Sequence, residues 1–238
     1  MKLDNAVVLI TGANRGLGLA FAREALARGA RKVYAAVRNP ASVTLAGVVP
    51  VKLDVTSPDD IAAAARECTD VTLVVNNAGI AALGGFIADD AVESAKRHFD
   101  TNVYGLLRVS QAFAPVLARN GGGAILNVLS IASWINSPTL GVYAASKTAA
   151  WAVTNGLRHE LRAQGTQVVG MHVGFVDTDL TRGLEVPKSS PDVIVARTFD
   201  ALEAGAEEVL ADEQTRAVKQ GLSAEPPVYL QPPTGRGE

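Results

Sequence analysis

The chain has 238 residues, 48% of them hydrophobic, with 22 glycines and a formal net charge of −2 from 22 basic and 24 acidic side chains. That length suits one large domain, and that apolar share fills a sizeable core, which excludes disorder for the bulk of the chain. The near-balanced charge excludes an electrostatic footprint for nucleic acid or for an anionic membrane surface. Cys68 is the sole cysteine, so no intramolecular disulfide can form, and His98, His159 and His172 are scattered without the spacing of metal ligands. The opening MKLDNAVVLITG lacks the h-region of a signal peptide, and no apolar run approaches the roughly 20 residues of a membrane span. A cytoplasmic protein with no metal, no membrane and no nucleic-acid partner is expected.

The first predicted strand is AVVLI (6–10), and the glycine-rich TGANRGLG (11–18) then opens a helix over 17–28. KVYAAV (32–37) and VPVKLDV (49–55) follow as strands. Ser57-Pro58-Asp59-Asp60 then sets a capping hydroxyl, a proline at the first helical position and two acids in the first turn of a helix over 58–67. VTLVVNNAG (71–79) is the fourth strand. A long helix is predicted over 90–118, where Phe99, Val103, Leu106, Leu107 and Phe113 form a core-facing stripe. GAILNVLS (123–130), a helix over 143–163 and QVVGMHV (167–173) come next. Ser190-Pro191-Asp192 opens a helix over 191–205, and EEVLAD (207–212) is a candidate seventh strand. Gly29, Gly121 and Gly165 follow helices where a left-handed residue ends the coil. The tail EPPVYLQPPTGRGE (225–238), with four of the 11 prolines, cannot be a helix; it is expected to wrap the surface or fray.

The strands show no polar alternation, which marks strands buried on both faces of a parallel sheet. With helices alternating between them, the fold class is α/β: a doubly wound, mainly parallel sheet of six to seven strands, helices on both faces, in a single domain.

In TGANRGLG the spacing is G-x-x-x-G-x-G, after the first strand and opening the first helix. Such a loop gives a tight turn, a close backbone approach to a pyrophosphate, and free N–H groups at a helix N-terminus. Nucleotide binding follows, with a methyltransferase as the competitor at this point. The second strand ends Val37-Arg38-Asn39 with no carboxylate to meet a ribose 2′-hydroxyl. Arg38 stands there instead and Arg15 projects from the glycine loop, a pair suited to a 2′-phosphate, so NADP is expected rather than NAD.

These residues resemble the short-chain dehydrogenase/reductase family, from residue 5 to about residue 210. TGANRGLG is similar to its cofactor loop, Asp54-Val55 to its adenine contact, and Asn76-Asn77-Ala78-Gly79 to its NNAG segment. Asn102 in FDTNVYG occupies the place of its helix asparagine, Ser130 lies 13 residues before Tyr143, and Tyr143 and Lys147 match its Tyr-x-x-x-Lys. The resemblance implies a Rossmann-type catalytic domain over 1–224, with a substrate loop at about 178–190 and the tail from 225. It also implies cofactor contacts at Gly12, Asn14, Arg15, Gly16, Leu17, Gly18, Arg38, Asp54, Val55, Asn77, Ala78, Gly79, Tyr143, Lys147, Gly174, Val176 and Thr178. One departure stands out: the family's Pro-Gly after the sixth strand is Val173-Gly174 here, which is expected to loosen that bend.

Ketone reduction needs a hydride at carbon and a proton at oxygen. A phenol with an ordinary pKa near 10 needs a cationic neighbour to cycle near neutrality, and position i+4 puts Lys147 on the helix face of Tyr143. Tyr143 is thus the expected general acid and base, with Lys147 tuning it and Ser130 stabilising the developing alkoxide. By family resemblance Lys147 also binds the nicotinamide ribose, and Asn102 holds a relay water. The expected substrate pocket is Trp134, Ile135, Leu140, Phe175, Leu180 and Leu184; its apolar character suits an uncharged ketone, aldehyde or secondary alcohol. Small residues on helices 90–118 and 143–163, with the resemblance, imply a homodimer or homotetramer. The alternative is a dinucleotide-binding redox sensor without turnover, which would have no need of Ser130, Tyr143 and Lys147 together.

Overall fold

All five residues of β1 (Val7–Thr11) are buried, with Val8 and Ile10 in one core and Val7 and Leu9 in the other. In the computed structural model, which describes residues 1–231, six more strands lie parallel to it. They are β2 (Lys32–Val37), β3 (Val49–Lys52), β4 (Leu73–Asn76), β5 (Ala124–Val128), β6 (Gln167–His172) and β7 (Glu208–Leu210). Their order is β3-β2-β1-β4-β5-β6-β7, so the sheet is wholly parallel and the candidate seventh strand is its edge. Winding reverses between β1 and β4, which opens a crevice at their carboxyl ends.

Helices α1 (Gly16–Ala27) and α6 (Pro191–Glu203) cover one face, where Phe21 meets Phe199 edge-on with centroids 5.3 Å apart. Truncating either ring to alanine would cost about 3–5 kcal/mol. The other face carries α2 (Pro58–Glu67), α4 (Leu106–Arg119) and α5 (Gly141–Glu160), packed around Ile61, Phe113 and Leu157. Ser57 caps α2 as its sequence demands, its hydroxyl accepting the Asp60 N–H at 3.2 Å. Ser190 stands at the N-cap of α6 without a side-chain bond. Gly165, after a 3₁₀ turn at Arg162–Gln164, takes φ +76° and returns the chain to β6.

The larger differences from expectation have visible causes. The strand predicted over 49–55 stops at Lys52, because its partner β2 ends at Val37. The strand predicted over 71–79 is confined to Leu73–Asn76: the N–H groups of Asn77 and Ala78 turn to the Thr11 hydroxyl, each at 3.0 Å. The helix predicted over 90–118 is α3 (Ala91–Phe99) and α4 separated by a π turn at Asp100–Gly105. There Gly105 lies so close to Val55 that a Cβ would sit 2.8 Å from its Cγ2, while Asn102 is held by Ile80. A further helix, α7 (Glu213–Gly221), follows β7 and is capped by Asp212, which accepts the Thr215 N–H at 2.7 Å.

Of the proline-rich tail, Val228–Leu230 forms one 3₁₀ turn, and residues 232–238 lie outside the described residues. Among the described residues no helix is long and apolar enough to cross a membrane.

Candidate active site

The glycine loop fills the β1 side of the crevice. Gly16 opens α1 with φ +54°, and a Cβ on Gly18 would sit 2.2 Å from the Gly12 carbonyl oxygen and 2.6 Å from Asn77 Nδ2. Gly18 is therefore required by strand–helix packing. The N-cap Arg15 makes no side-chain cap and the first turn of α1 carries no acid, so its N–H groups and dipole are left to an anion. Asn77 fastens the loop to β4, donating Nδ2 to Thr11 O at 2.8 Å and to Gly12 O at 3.3 Å. Asn14 donates to Ser42 Oγ at 3.1 Å. A backbone cradle of this kind fits a dinucleotide pyrophosphate.

At the adenosine end, Arg38 is exposed and makes no ion pair of 4 Å or less among the described residues. Burial pushes the Asp54 carboxyl up, but hydrogen bonds from Thr56 and the charges of Arg38 and Lys52 outweigh it and hold the carboxyl below its usual value. Val55 is buried under Gly105. Arg15 is turned instead to Asp179, at 3.4 Å.

The other end is made of buried side chains. Ser130 lies two residues beyond β5 and caps a 3₁₀ turn (Ile131–Ser133), its Oγ accepting the Ala132 N–H at 3.1 Å. Thr148 on α5 donates to Ser133 O at 3.0 Å and fixes that turn against the helix carrying Tyr143. Burial pushes the Tyr143 phenol above its ordinary value, and the Ser130 hydroxyl, within hydrogen-bonding reach, draws it back. Lys147 is 7% exposed and donates Nζ to Val128 O at 3.0 Å, 5.8 Å from the Tyr143 ring centroid. Burial lowers its pKa to about 8. Burial is the largest influence on both the phenol and the amine.

Asn102 is 3% exposed, with both amide hydrogens engaged, to Ile80 O and Ser146 Oγ, each at 3.0 Å. Its Oδ1 accepts the Ile80 N–H at 2.9 Å and keeps one lone pair. A Cβ on Gly79 would come within 3.2 Å of that oxygen and 3.8 Å of Lys147 Nζ, so Gly79 keeps the gap between them open. Ser146, which also donates to Tyr143 O at 2.7 Å, joins Asn102 to α5.

Beyond β6, Gly174 donates its N–H to Asp212 Oδ2 at 2.7 Å. The bend that lacks a proline is therefore held by a buried carboxylate. The following loop is closed by Asp177 N–H to Ser189 O at 3.0 Å and Ser189 N–H to Phe175 O at 2.9 Å. Thr178 lies against Gly16, and Val176 is buried. Of the expected pocket residues, Ile135, Leu140, Phe175 and Leu184 are half-buried and Leu180 is exposed, whereas the Trp134 ring stacks on His172, centroids 3.9 Å apart.

Sequence reasoning passed over His98, His172 and Asp212. His98 Nε2 accepts the Ala82 N–H at 3.1 Å, and its ring meets Tyr143 edge-on at 6.3 Å. A lone histidine in an apolar context gives no signal of this, but Asp212 before Glu213 is a legible cap. Among the described residues no group of three or more His, Cys, Asp or Glu could hold a metal.

A wholly parallel, doubly wound sheet with a glycine loop opening a helix at its switch point is the α/β architecture whose crevice suits a dinucleotide. A family profile for short chain dehydrogenases matches residues 6–188. An uncharacterized oxidoreductase of Staphylococcus epidermidis is 32% identical over 196 residues, covering 77% of this chain and 84% of that one. A short chain dehydrogenase from Burkholderia cenocepacia, solved in complex with NADP, superposes with a TM-score of 0.92 at 36% identity, over 98% of this chain and all of that one. A family member from Burkholderia phymatum, solved with NAD, shares the fold at TM-score 0.86 and 24% identity, with both chains fully covered. The chain belongs to the short-chain dehydrogenase/reductase family and is an oxidoreductase of that type.

Proposed function

We propose that the protein transfers a hydride between NADP(H) and an uncharged, fairly apolar ketone, aldehyde or secondary alcohol, with Tyr143 as general acid and base. The observation that carries this reading is the convergence of Tyr143, Ser130 and Lys147 at the carboxyl edge of the sheet that also holds the glycine loop. The bound dihydronicotinamide supplies the hydride. A phenol held above its ordinary pKa stays protonated at neutral pH, as a proton donor in reduction must. Ser130, with one lone pair filled by the Ala132 N–H, keeps its proton for the substrate oxygen. Lys147, bound to Val128 O, has further N–H donors for ribose hydroxyls. A relay water would take the remaining Oδ1 lone pair of Asn102 in the gap beside Gly79.

The preference for NADP rests on the exposed Arg38 at the adenosine end, with Arg15 of the glycine loop, paired with Asp179 across the crevice, as the second guanidinium. The apolar substrate class rests on Ile135, Leu140, Phe175 and Leu184. The loop's Arg182 is paired with Asp179 and so is no free clamp for an anionic substrate. We read residues 1–224 as the catalytic domain, cytoplasmic, assembling as a dimer or tetramer through α3, α4 and α5; exposed Val92 and Tyr104 on that face support the assembly.

The test is Tyr143→Phe. NADPH titration by nicotinamide fluorescence should be unchanged, while turnover on a ketone panel falls by about 10²–10⁴-fold. Full turnover with normal cofactor binding would refute the mechanism, and reactivity confined to carboxylated or phosphorylated substrates would refute the substrate class.

A further inference from the structure

We propose that His172 is a positioning residue: its imidazole, packed against Trp134 and Trp151, donates Nδ1–H to the Ser130 carbonyl and fixes the serine that meets the Tyr143 phenol. This rests on the reductase reading above. His172 is fully buried, its Nδ1 is 3.1 Å from Ser130 O, and a carbonyl can only accept, so Nδ1 carries the proton. Nε2 is then a bare acceptor, in keeping with its having no hydrogen-bond partner among the described residues.

Two indoles and an ion pair surround the ring. Trp134 stacks at 3.9 Å and 21°, and Trp151 meets the ring edge-on at 6.3 Å. Glu208 of β7 is 3.7 Å from Nε2, but it is already paired with Lys219 of α7 at 2.9 Å. Lys219 also lies 4.7 Å from the Trp134 ring centroid. Lys147 of α5 is the other charged group near the ring; burial, the largest influence, lowers the His172 pKa to about 4 and keeps the ring neutral.

The link to chemistry is the Ser130 main chain. On either side of it β6 takes the backbone, Leu129 N–H donating to Met171 O at 2.8 Å and Ile131 N–H to Val173 O at 2.9 Å. The Ser130 carbonyl itself accepts twice, from Ser133 N–H at 2.9 Å and from His172. Without the imidazole the Ser130 carbonyl keeps only the turn bond from Ser133, and the peptide plane that aims the serine loses its one side-chain restraint. A leucine would fill the space between the indoles but would not donate.

The experiment compares His172→Leu with His172→Asn, whose amide can reproduce the Nδ1 donor, in the NADPH-bound enzyme. For His172→Leu, kcat should fall by about 10–100-fold, the loss expected of a misplaced catalytic group, with ketone KM and NADPH Kd near wild type. His172→Asn should restore most of kcat. A folded His172→Leu with wild-type kcat, or a His172→Asn no better than it, would overturn the proposal. If His172→Leu does not fold, nitrogen-15 NMR of the wild-type ring decides: Nδ1 protonated and Nε2 bare at pH 6 supports it, and the opposite tautomer or a charged ring overturns it. A wild-type protein that binds NADPH but reduces no ketone would sink the reductase reading instead, leaving that spectrum unaffected.

Discussion

The two ends of the crevice are made of different material. At the glycine-loop end the grip comes from backbone: a positive φ at Gly16, unclaimed N–H groups on α1, and a contact at Gly18 that no side chain could survive. At the Tyr143 end it comes from side chains taken out of water, among them Lys147, Asn102, Ser130 and His172. The first end is sensitive to added atoms, because its packing is set by backbone. The second tolerates atoms of the same shape but holds polar groups whose desolvation works against folding.

The largest expected effect is at the first end. Gly18→Ala forces a Cβ to 2.2 Å from the Gly12 carbonyl oxygen, a backbone atom that cannot swing aside, so α1 must leave β1. We expect a loss of more than about 4 kcal/mol or failure to fold, with NADPH binding abolished. Gly156→Ala is the control. It sits inside α5 with nothing within 4 Å of the new Cβ, and should gain about 0.5–1 kcal/mol. Calorimetry on the two variants checks both, and a Gly18→Ala protein of wild-type Tm would mean that the helix can shift without penalty.

At the second end, Lys147→Met should trade activity for stability. The folded-state pKa of about 8 lies below the ordinary 10.5, so the unfolded chain holds its proton to higher pH. Stability from this group is complete above pH 10.5, falls as pH drops towards about 8, and stays low below that. The deficit at neutral pH is of the order of 3 kcal/mol, offset by about 1 kcal/mol for the bond to Val128 O that methionine cannot make. Lys147→Met should therefore be about 1–2 kcal/mol more stable at pH 7 and lose the slope between pH 8 and 10.5, while rate and NADPH affinity both fall. Denaturant melts at pH 7 and pH 10 measure this; a less stable variant at pH 7 would mean that burial of the amine is not the dominant influence.

The same division explains how much the sequence disclosed. Strands buried on both faces announce themselves as apolar runs, so β1, β2 and β6 are legible almost to the residue, and the glycine loop is legible because only glycine suits its backbone. Ser130, Tyr143 and Lys147 lie within 17 residues of each other and are readable by spacing. The π turn at Asp100–Gly105 is not, because Asp-Thr-Asn-Val-Tyr-Gly continues the apolar period of a helix and the cause, contact with Val55, lies 50 residues away. The clamp of Asp212 on Gly174 and the bond of His172 to Ser130 exist only once β5, β6 and β7 are laid side by side.

A smaller effect belongs to Arg38. It is exposed, so Arg38→Ala should change stability by no more than about 0.5 kcal/mol. Losing charge-assisted bonds to a 2′-phosphate should weaken NADPH by about 10–100-fold and leave NADH unchanged. Paired titrations with both nucleotides separate the cases; equal weakening of both would place Arg38 on the shared adenosine rather than the phosphate.

The smallest effect joins the two ends. Asp179 sits on the loop over the crevice and holds Arg15 at 3.4 Å, with Arg15 68% and Asp179 41% exposed. A pair so open to solvent contributes about 0–1 kcal/mol, so Asp179→Asn should scarcely move Tm. It does remove a competitor for Arg15, the guanidinium expected to meet the 2′-phosphate. If the carboxylate and the phosphate compete, NADPH should bind about two- to threefold more tightly to Asp179→Asn at low salt, with the gain fading as ionic strength rises. A weaker Kd would show the reverse: that Asp179 draws Arg15 and the loop together over the cofactor, and that its charge serves binding by holding the loop in place.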